Sequence, residues 1–250
     1  LASAASMSVG GGRGVCVAGA LFRGVTFSAT IPDPVAAARL ALDEGVSCIT
    51  VHLREDRRHI QEDDVRRIRD IEGCRLNLEM AATDEIIEIA MDIRPDQITL
   101  VPERREELTT EGGLDIASNV KFYDDLSRRF IDNGIVVSYF IDPDFRQIEA
   151  SAKTVAAAIE INTGRYSEAD DDGEMAMELE RVKKAVTKGR ERSLTVHAGH
   201  GLNYHNTLPV AQIRGIDELN IGHSIVSRAV FVGFKDAVGY MMEILKKGAG

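Results

Sequence analysis

Residues 49–60 read ITVHLREDRRHI. A run of strand-forming residues stops at His52, and within eight positions it is followed by Arg54, Arg57, Arg58 and His59. Short runs of this kind, several of them ending in a residue capable of chemistry, recur along the chain. They are GVCVAGAL (14–21), CITVHL (48–53), RLNLEM (75–80), QITLV (97–101), GIVVSYFI (134–141), AAIEIN (157–162), LTVHAG (194–199) and ELNIGH (218–223). Each is short and nearly continuous in apolar residues, the pattern of a strand buried on both faces of a parallel sheet. Amphipathic segments lie between them. In DPVAAARLALDEG, Asp33 suits an N-cap, Pro34 the first helical turn and Gly45 the stop. DEIIEIAMDI, VKFYDDLSRRFIDNG and GEMAMELERVKKAVTKG have the same character. Eight strand-then-helix units predict an α/β fold, a (β/α)8 barrel, with an open doubly wound sheet as the alternative. The expected organisation is a poorly ordered leader over 1–13, small and glycine-rich, followed by a single barrel domain over 14–250.

Composition narrows the partners. With 30 Lys and Arg against 40 Asp and Glu, the 250-residue chain carries a net charge of −10, which disfavours nucleic acid and anionic membrane as partners. Any anion must therefore be held by a local site. Cys16, Cys48 and Cys74 lie in apolar contexts and are too few for a disulfide framework, so a reducing cytoplasm is expected. No apolar run reaches the roughly 18 to 20 residues that a membrane span needs.

The barrel makes a demand on the histidines, because active sites of this architecture sit at the C-terminal ends of the strands and in the loops that follow. His52, His59, His197, His200, His205 and His223 all fall at such ends or just beyond them. His52 and Glu79 end the second and third strands, where an imidazole and a carboxylate on neighbouring strands can trade protons near neutral pH; the plainer alternative is a buried pair that satisfies itself. VHAGHGLNYHN (196–206) and NIGHS (220–224) follow strands seven and eight, where many barrels hold phosphate on glycine backbones. Gly201, Gly222 and the backbone of His223 are the candidate phosphate ligands, against the alternative of turns that need glycine only for backbone freedom. HAGH differs from the H-E-x-x-H helix of zinc peptidases and has no Asp or Cys at a ligand spacing, so no metal is expected. In VPERREELTTEGGLD (101–115), Thr109 beside the Gly112-Gly113 hinge is the ligand candidate, while Arg104 to Glu107 read as a solvated turn.

VHLREDRRHI, NLEMA, VPERREELTTEGGLD, EINTG, AGHGLNYHN and ELNIGH, in this order and spacing, closely resemble the pyridoxine 5′-phosphate synthases from about Pro32 to the C-terminus. The resemblance implies a (β/α)8 barrel with extra helices, assembled as a homo-octamer and needing no cofactor. It implies phosphorylated small-molecule substrates: 1-deoxy-D-xylulose 5-phosphate condensed with 3-amino-2-oxopropyl phosphate to give pyridoxine 5′-phosphate, phosphate and water. His52 and Glu79 match the family's proton acceptors and His200 its proton donor. Arg54, His59 and Thr109 match contacts to the deoxyxylulose phosphate, and Gly201, Gly222 and His223 match contacts to the aminooxopropyl phosphate. Glu160 stands where the family has a mouth-lining glutamate. Arg57 and Arg58 are left as surface or subunit contacts.

The first strand departs from this pattern. The family's N-I-D-H-x-A-T-L-R-N-A-R-G aligns with CVAGALFRGVTFS (16–28), which places Cys16 at the asparagine, Ala18 and Gly19 at the Asp-His pair and Phe27 at the arginine. Asn162 stands where histidine is common. A competing expectation is therefore a catalytically impaired homologue that serves as a structural subunit or phosphate-ligand binder.

Overall fold

The computed structural model describes residues 3–9, 13–19, 33–103 and 112–249. They contain a nine-stranded sheet: β1 (Ser3–Val9), β2 (Arg13–Gly19), β3 (Cys48–His52), β4 (Leu76–Met80), β5 (Gln97–Leu100), β6 (Val136–Ile141), β7 (Ala158–Asn162), β8 (Thr195–Gly199) and β9 (Glu218–Ile221). From β3 to β9 each strand pairs in parallel with the next. β2 pairs in parallel with β3 through Val17 and Ile49, and with β9 through Val15 and Leu219, which completes the ring. The parallel barrel is thus observed and the open sheet is not. β1, within residues 1–13, runs antiparallel to β2, with Ser6 opposite Cys16, and also pairs with β3. Its sequence SAASMSV has no charge or proline to prevent pairing.

Helices cover the ring: α1 (Pro34–Asp43), α2 (Glu62–Arg69), α3 (Asp84–Ile93), α4 (Val120–Ile131), α5 (Phe145–Ser151), α6 (Gly164–Ser167), α7 (Asp172–Glu191), α8 (Thr207–Ala211), α9 (His223–Val232) and α10 (Phe234–Ala249). α1 begins and ends as its sequence predicts. The Asp33 carboxylate accepts from the Val35 N–H at 3.1 Å, Pro34 occupies the first turn, and Gly45 leaves with φ +90°.

The strands alternate rather than being apolar on both faces. Ile49, Val51, Leu76, Leu78, Ile159, Ile161, Val196 and Leu219 point outward into the core shared with the helices. Their neighbours in sequence, Thr50, Asn77, Gln97, Thr99, Ser138, Glu160, His197, Glu218 and Asn220, are buried and polar. These inner side chains meet one another: Asn77 donates to Thr50 Oγ1 at 3.1 Å, and Thr99 donates to Asn77 Oδ1 at 3.0 Å. Lower in the ring, Arg75 pairs with Glu218, which lies 3.7 Å from His197. The core is therefore a sleeve between strands and helices, and the lumen is a polar interior closed from solvent. Two-faced burial is what made such strands look uniformly apolar, while the period of two carries the difference.

The sleeve is tight where α7 crosses β7 and β8. A Cβ on Gly189 would lie 2.8 Å from Val196 Cγ2 and 3.0 Å from Ile159 Cδ1. In a helix, alanine is intrinsically favoured over glycine by up to about 1 kcal/mol, but forcing a methyl into branched, fully buried neighbours costs about 1–3 kcal/mol. The clash outweighs the propensity. Gly189→Ala is expected to lower unfolding stability by about 1–2 kcal/mol in urea titration; a gain in stability would mean that α7 can move away from the strands.

Candidate active site

The C-terminal mouth of the ring is set by strand register. His52, the last residue of β3, pairs directly with Glu79 of β4. Burial drives the Glu79 carboxyl above its ordinary value, and the His52 imidazole opposes that shift. On its other side His52 faces Glu103, just beyond β5, with Nε2 at 3.4 Å from Oε2. Glu103 is almost wholly buried, its second oxygen accepts from the Glu55 N–H at 2.9 Å, and Arg54 Nε lies 3.7 Å away. Burial alone would raise the Glu103 carboxyl, yet His52, the Glu55 N–H and Arg54 together hold it below its ordinary value. Two carboxylates thus flank one imidazole with opposite proton affinities.

Arg54 is buried, and its Nη2 has no hydrogen-bond partner. A guanidinium nitrogen left unmatched at a mouth suits an anionic ligand. The loop around it is held by Arg57, whose Nη1 donates to the Glu55 carbonyl at 2.7 Å and whose Nη2 pairs with Glu62 and Glu85. Arg57 is therefore a brace for the loop rather than a free surface residue, whereas Arg58 pairs with Asp56 at the surface. The Asp56 carboxyl, raised by burial but more strongly lowered by Arg58 and Arg54, sits at about 2. His59 is half-buried in the same loop and is pushed down to about 4 by burial and by the Arg58 and Arg54 charges.

Across the ring, Glu160 of β7 pairs in register with His197 of β8. Its carboxyl is raised well above the ordinary value by burial first and by Glu79 second, with Asn220 opposing and Glu218 adding to the shift. The effect of Glu79 on Glu160 spans opposite sides of the barrel, so both project into the lumen. Room for Glu160 comes from Gly199, where a Cβ would fall 2.6 Å from Glu160 Oε1 and 2.9 Å from the Asn220 carbonyl.

His200 follows β8 with φ +81°, a strained value for a side chain of its size. Thr163 holds that backbone in place: its N–H donates to the Gly199 carbonyl at 2.8 Å, and its hydroxyl, 2.7 Å from the Gly199 carbonyl and 2.6 Å from the His200 carbonyl, shares its one proton between them. The His200 ring packs beside Phe140, with centroids 6.1 Å apart. Burial lowers its pKa, with Glu168 opposing. Gly201 continues with φ +76° and lies so close to Ser167 that a Cβ would be 2.5 Å from the Ser167 Cβ. Gly222 caps α9, and His223 is its exposed first residue. Ser224 Oγ donates to the Leu202 carbonyl at 2.8 Å, tying the start of α9 to the Gly201 loop.

The structure therefore brings together His52, Arg54, Glu79 and Glu160, and separately joins His200, Gly201 and Gly222 through the β8 and β9 loops. His197 departs from the expected strand-end position: it lies within β8, buried against Glu218 below the mouth. His205 is exposed in the loop before α8. Thr109 and Phe27 lie outside the described residues. Sequence reasoning missed Glu103 and Thr163; a carboxylate three positions past a strand end and the threonine of EINTG are the signals that pointed to them. Among the described residues no group of three His, Cys, Asp or Glu is placed to hold a metal, and no helix is long and apolar enough to cross a membrane.

A family model described as pyridoxal phosphate biosynthesis protein PdxJ matches residues 21–247. The chain belongs to this family. A pyridoxine 5′-phosphate synthase of Geobacter sulfurreducens is 54% identical over 215 residues, covering 86% of this chain and 90% of that protein. One of Synechococcus is 53% identical over 214 residues, again covering 86% and 90%. Among solved structures, a phosphoribosylanthranilate isomerase of Thermotoga maritima aligns with TM-score 0.58 at 14% identity, over 85% of this chain and 93% of that one. A thiamine phosphate pyrophosphorylase of Pyrococcus furiosus aligns with TM-score 0.59 at 15% identity, over 88% and 92%. At such identities the structural matches speak for the barrel alone. The PdxJ family match includes residues 21–31, within the divergent stretch that follows β2.

Glu160 gives a test of lumen electrostatics. Its folded carboxyl holds a proton above the ordinary value of 4.5. As pH rises from there, the unfolded chain ionises while the folded one resists, so the native state loses relative stability by up to about 1.4 kcal/mol per pH unit. Glutamine mimics the protonated acid at every pH. The Tm advantage of Glu160→Gln over the parent is expected to be larger at pH 8 than at pH 5; an equal difference at both would mean that Glu160 ionises freely.

Proposed function

We propose that the chain condenses 1-deoxy-D-xylulose 5-phosphate with 3-amino-2-oxopropyl phosphate and closes the pyridine ring, giving pyridoxine 5′-phosphate, phosphate and water. Family membership supports the reaction class. The observation that carries the assignment of residues is the convergence of His52, Glu79 and Glu160 in one polar lumen beside the unmatched guanidinium of Arg54. Joining an amine to a ketone, dehydrating and closing a ring all require protons to move repeatedly at one place. In this reading His52 and Glu79 accept protons, Glu160 lines the substrate pocket, and His200 donates.

Arg54 and His59 grip the deoxyxylulose phosphate, with Thr109 as a further contact, and the Gly201, Gly222 and His223 backbones hold the aminooxopropyl phosphate. α9 aids that second grip, because its positive N-terminal end, starting at His223 before the first intrahelical bond from Ile225 N–H to the Gly222 carbonyl, faces the loop. Retention of His52, Glu79 and His200 favours the enzyme over an impaired homologue. The family's homo-octamer and a cytoplasmic location belong to the same proposal.

His200 imposes a condition on this scheme. Burial makes it neutral in the free protein at pH 7, so it must first gain a proton in order to donate one. A phosphate dianion held at the adjacent Gly201 loop raises the pKa of a neighbouring imidazole and supplies that condition. The acid must be protonated to act, so the basic limb of the kcat profile is expected at higher pH than that of kcat/KM. Coincident limbs would remove the phosphate from this role. His200→Ala and Glu79→Gln are each expected to lower turnover by about 10²- to 10⁴-fold with Tm retained, measured with both substrates saturating. Near-parental turnover in either variant would remove that residue from the mechanism.

A further inference from the structure

Two carboxylates flank the His52 imidazole, and only one of them is built to stay ionised. Glu79 is driven toward its protonated form by burial, whereas Glu103 is held as a carboxylate by the groups around it. The placement of Glu103 is specific. Val101 N–H bonds to the Met80 carbonyl at 3.0 Å, so the chain leaving β5 is still fastened to β4 two residues before Glu103. Pro102 then restricts the approach. Glu103 Oε1 accepts from the Glu55 N–H at 2.9 Å, which fixes the plane of the carboxylate against the loop after β3. Oε2 lies 3.4 Å from His52 Nε2, and neither atom has a hydrogen-bond partner, so each is open to the other once the ring turns to align them.

We propose that Glu103 is a positioning residue for His52. Its carboxylate holds the ring in the tautomer that carries the proton on Nε2, and so presents the Nδ1 lone pair to the substrate. The proposal rests on the reading of His52 as a proton acceptor. Neutral imidazole has one basic nitrogen, and the hydrogen bond made at the other nitrogen decides which one it is. Of the two carboxylates, the ionised one is the stronger acceptor for N–H, so Glu103 orders the tautomer and leaves Glu79 able to carry a proton of its own. Separation of proton affinities between neighbouring acids is how one site accommodates distinct roles. Glu103 also lies 3.7 Å from Arg54 Nε, opposite the unmatched Nη2, so one buried side chain orients both the proposed base and the anion-binding arginine.

Glu103→Gln tests this, because the amide oxygen can still accept from the Glu55 N–H while the charge is lost. Two readouts are needed: steady-state kinetics with both substrates, and the side-chain ¹⁵N and ¹H correlations of His52, assigned with His52→Ala. The expected results are a 10- to 100-fold fall in kcat, KM for each substrate within about threefold of the parent, and a His52 tautomer shifted away from Nε2–H with Tm retained. Parental kcat, or an unchanged tautomer, overturns the proposal. A loss confined to KM also overturns it, since that would place the effect on Arg54. His52→Ala separates the two levels of the argument: parental turnover there removes His52 as proton acceptor, whereas a disabled His52→Ala beside a parental Glu103→Gln removes Glu103 alone. The tautomer measurement does not depend on turnover.

Discussion

Closure of the parallel ring is the constraint on which the rest depends. Once β2 pairs with both β3 and β9, the described inner-facing side chains of β3 to β9 are enclosed among one another, and a buried polar group there can only be satisfied by its neighbours or by a ligand. Thr50, Asn77 and Thr99 meet this demand among themselves. Arg75 and Glu218 meet it by charge pairing lower in the ring, with His197 3.7 Å from Glu218. Toward the mouth the matching stops: Glu160 Oε2, both side-chain polar atoms of Asn220, His52 Nε2 and Arg54 Nη2 have no hydrogen-bond partner. Other buried atoms without a partner, Gln97 Nε2, Ser138 Oγ and His197 Nδ1, lie further down the strands.

Burying polar groups without partners costs stability and creates reactivity by the same physics. Low polarisability around Glu79 and Glu160 penalises their ionised forms, which leaves two acids able to hold or accept protons near neutral pH. The apolar sleeve offsets the cost, because it is separate from the lumen. Outward residues such as Leu78, Ile98 and Ile159 pack against helices and take no part in the site. A polar lumen inside an apolar sleeve lets the protein change its site chemistry without reworking its core. The strained backbone of His200 is handled similarly, with Thr163 bonded to the carbonyls on both sides of the peptide that enters it.

Legibility differed between elements for identifiable reasons. α1 was readable end to end because Asp33, Pro34 and Gly45 act locally, through caps and backbone freedom that need no distant partner. The strands were readable as strands but not as two-faced, since LNLEM and AIEIN were taken by their apolar content and not by their period of two. A strand of Ser, Ala and Met such as β1 shows itself only through its partners. His197 read as a mouth residue, although it is two positions short of the strand end and faces Glu218 instead.

The sequence by itself determined the alternation of strand and helix, the placement of His52, Glu79 and His200 at or near strand ends, and the family. These follow from local propensity, periodicity and motif order, all of which are properties of neighbours in the chain. Only the tertiary structure decided that Glu79 acts on Glu160 across the ring, that Glu103 faces His52 from a loop 51 residues away in sequence, and that Arg54 keeps one nitrogen unmatched. Proton affinity depends on burial and on charges a few ångströms distant, and neither quantity exists until the ring has closed.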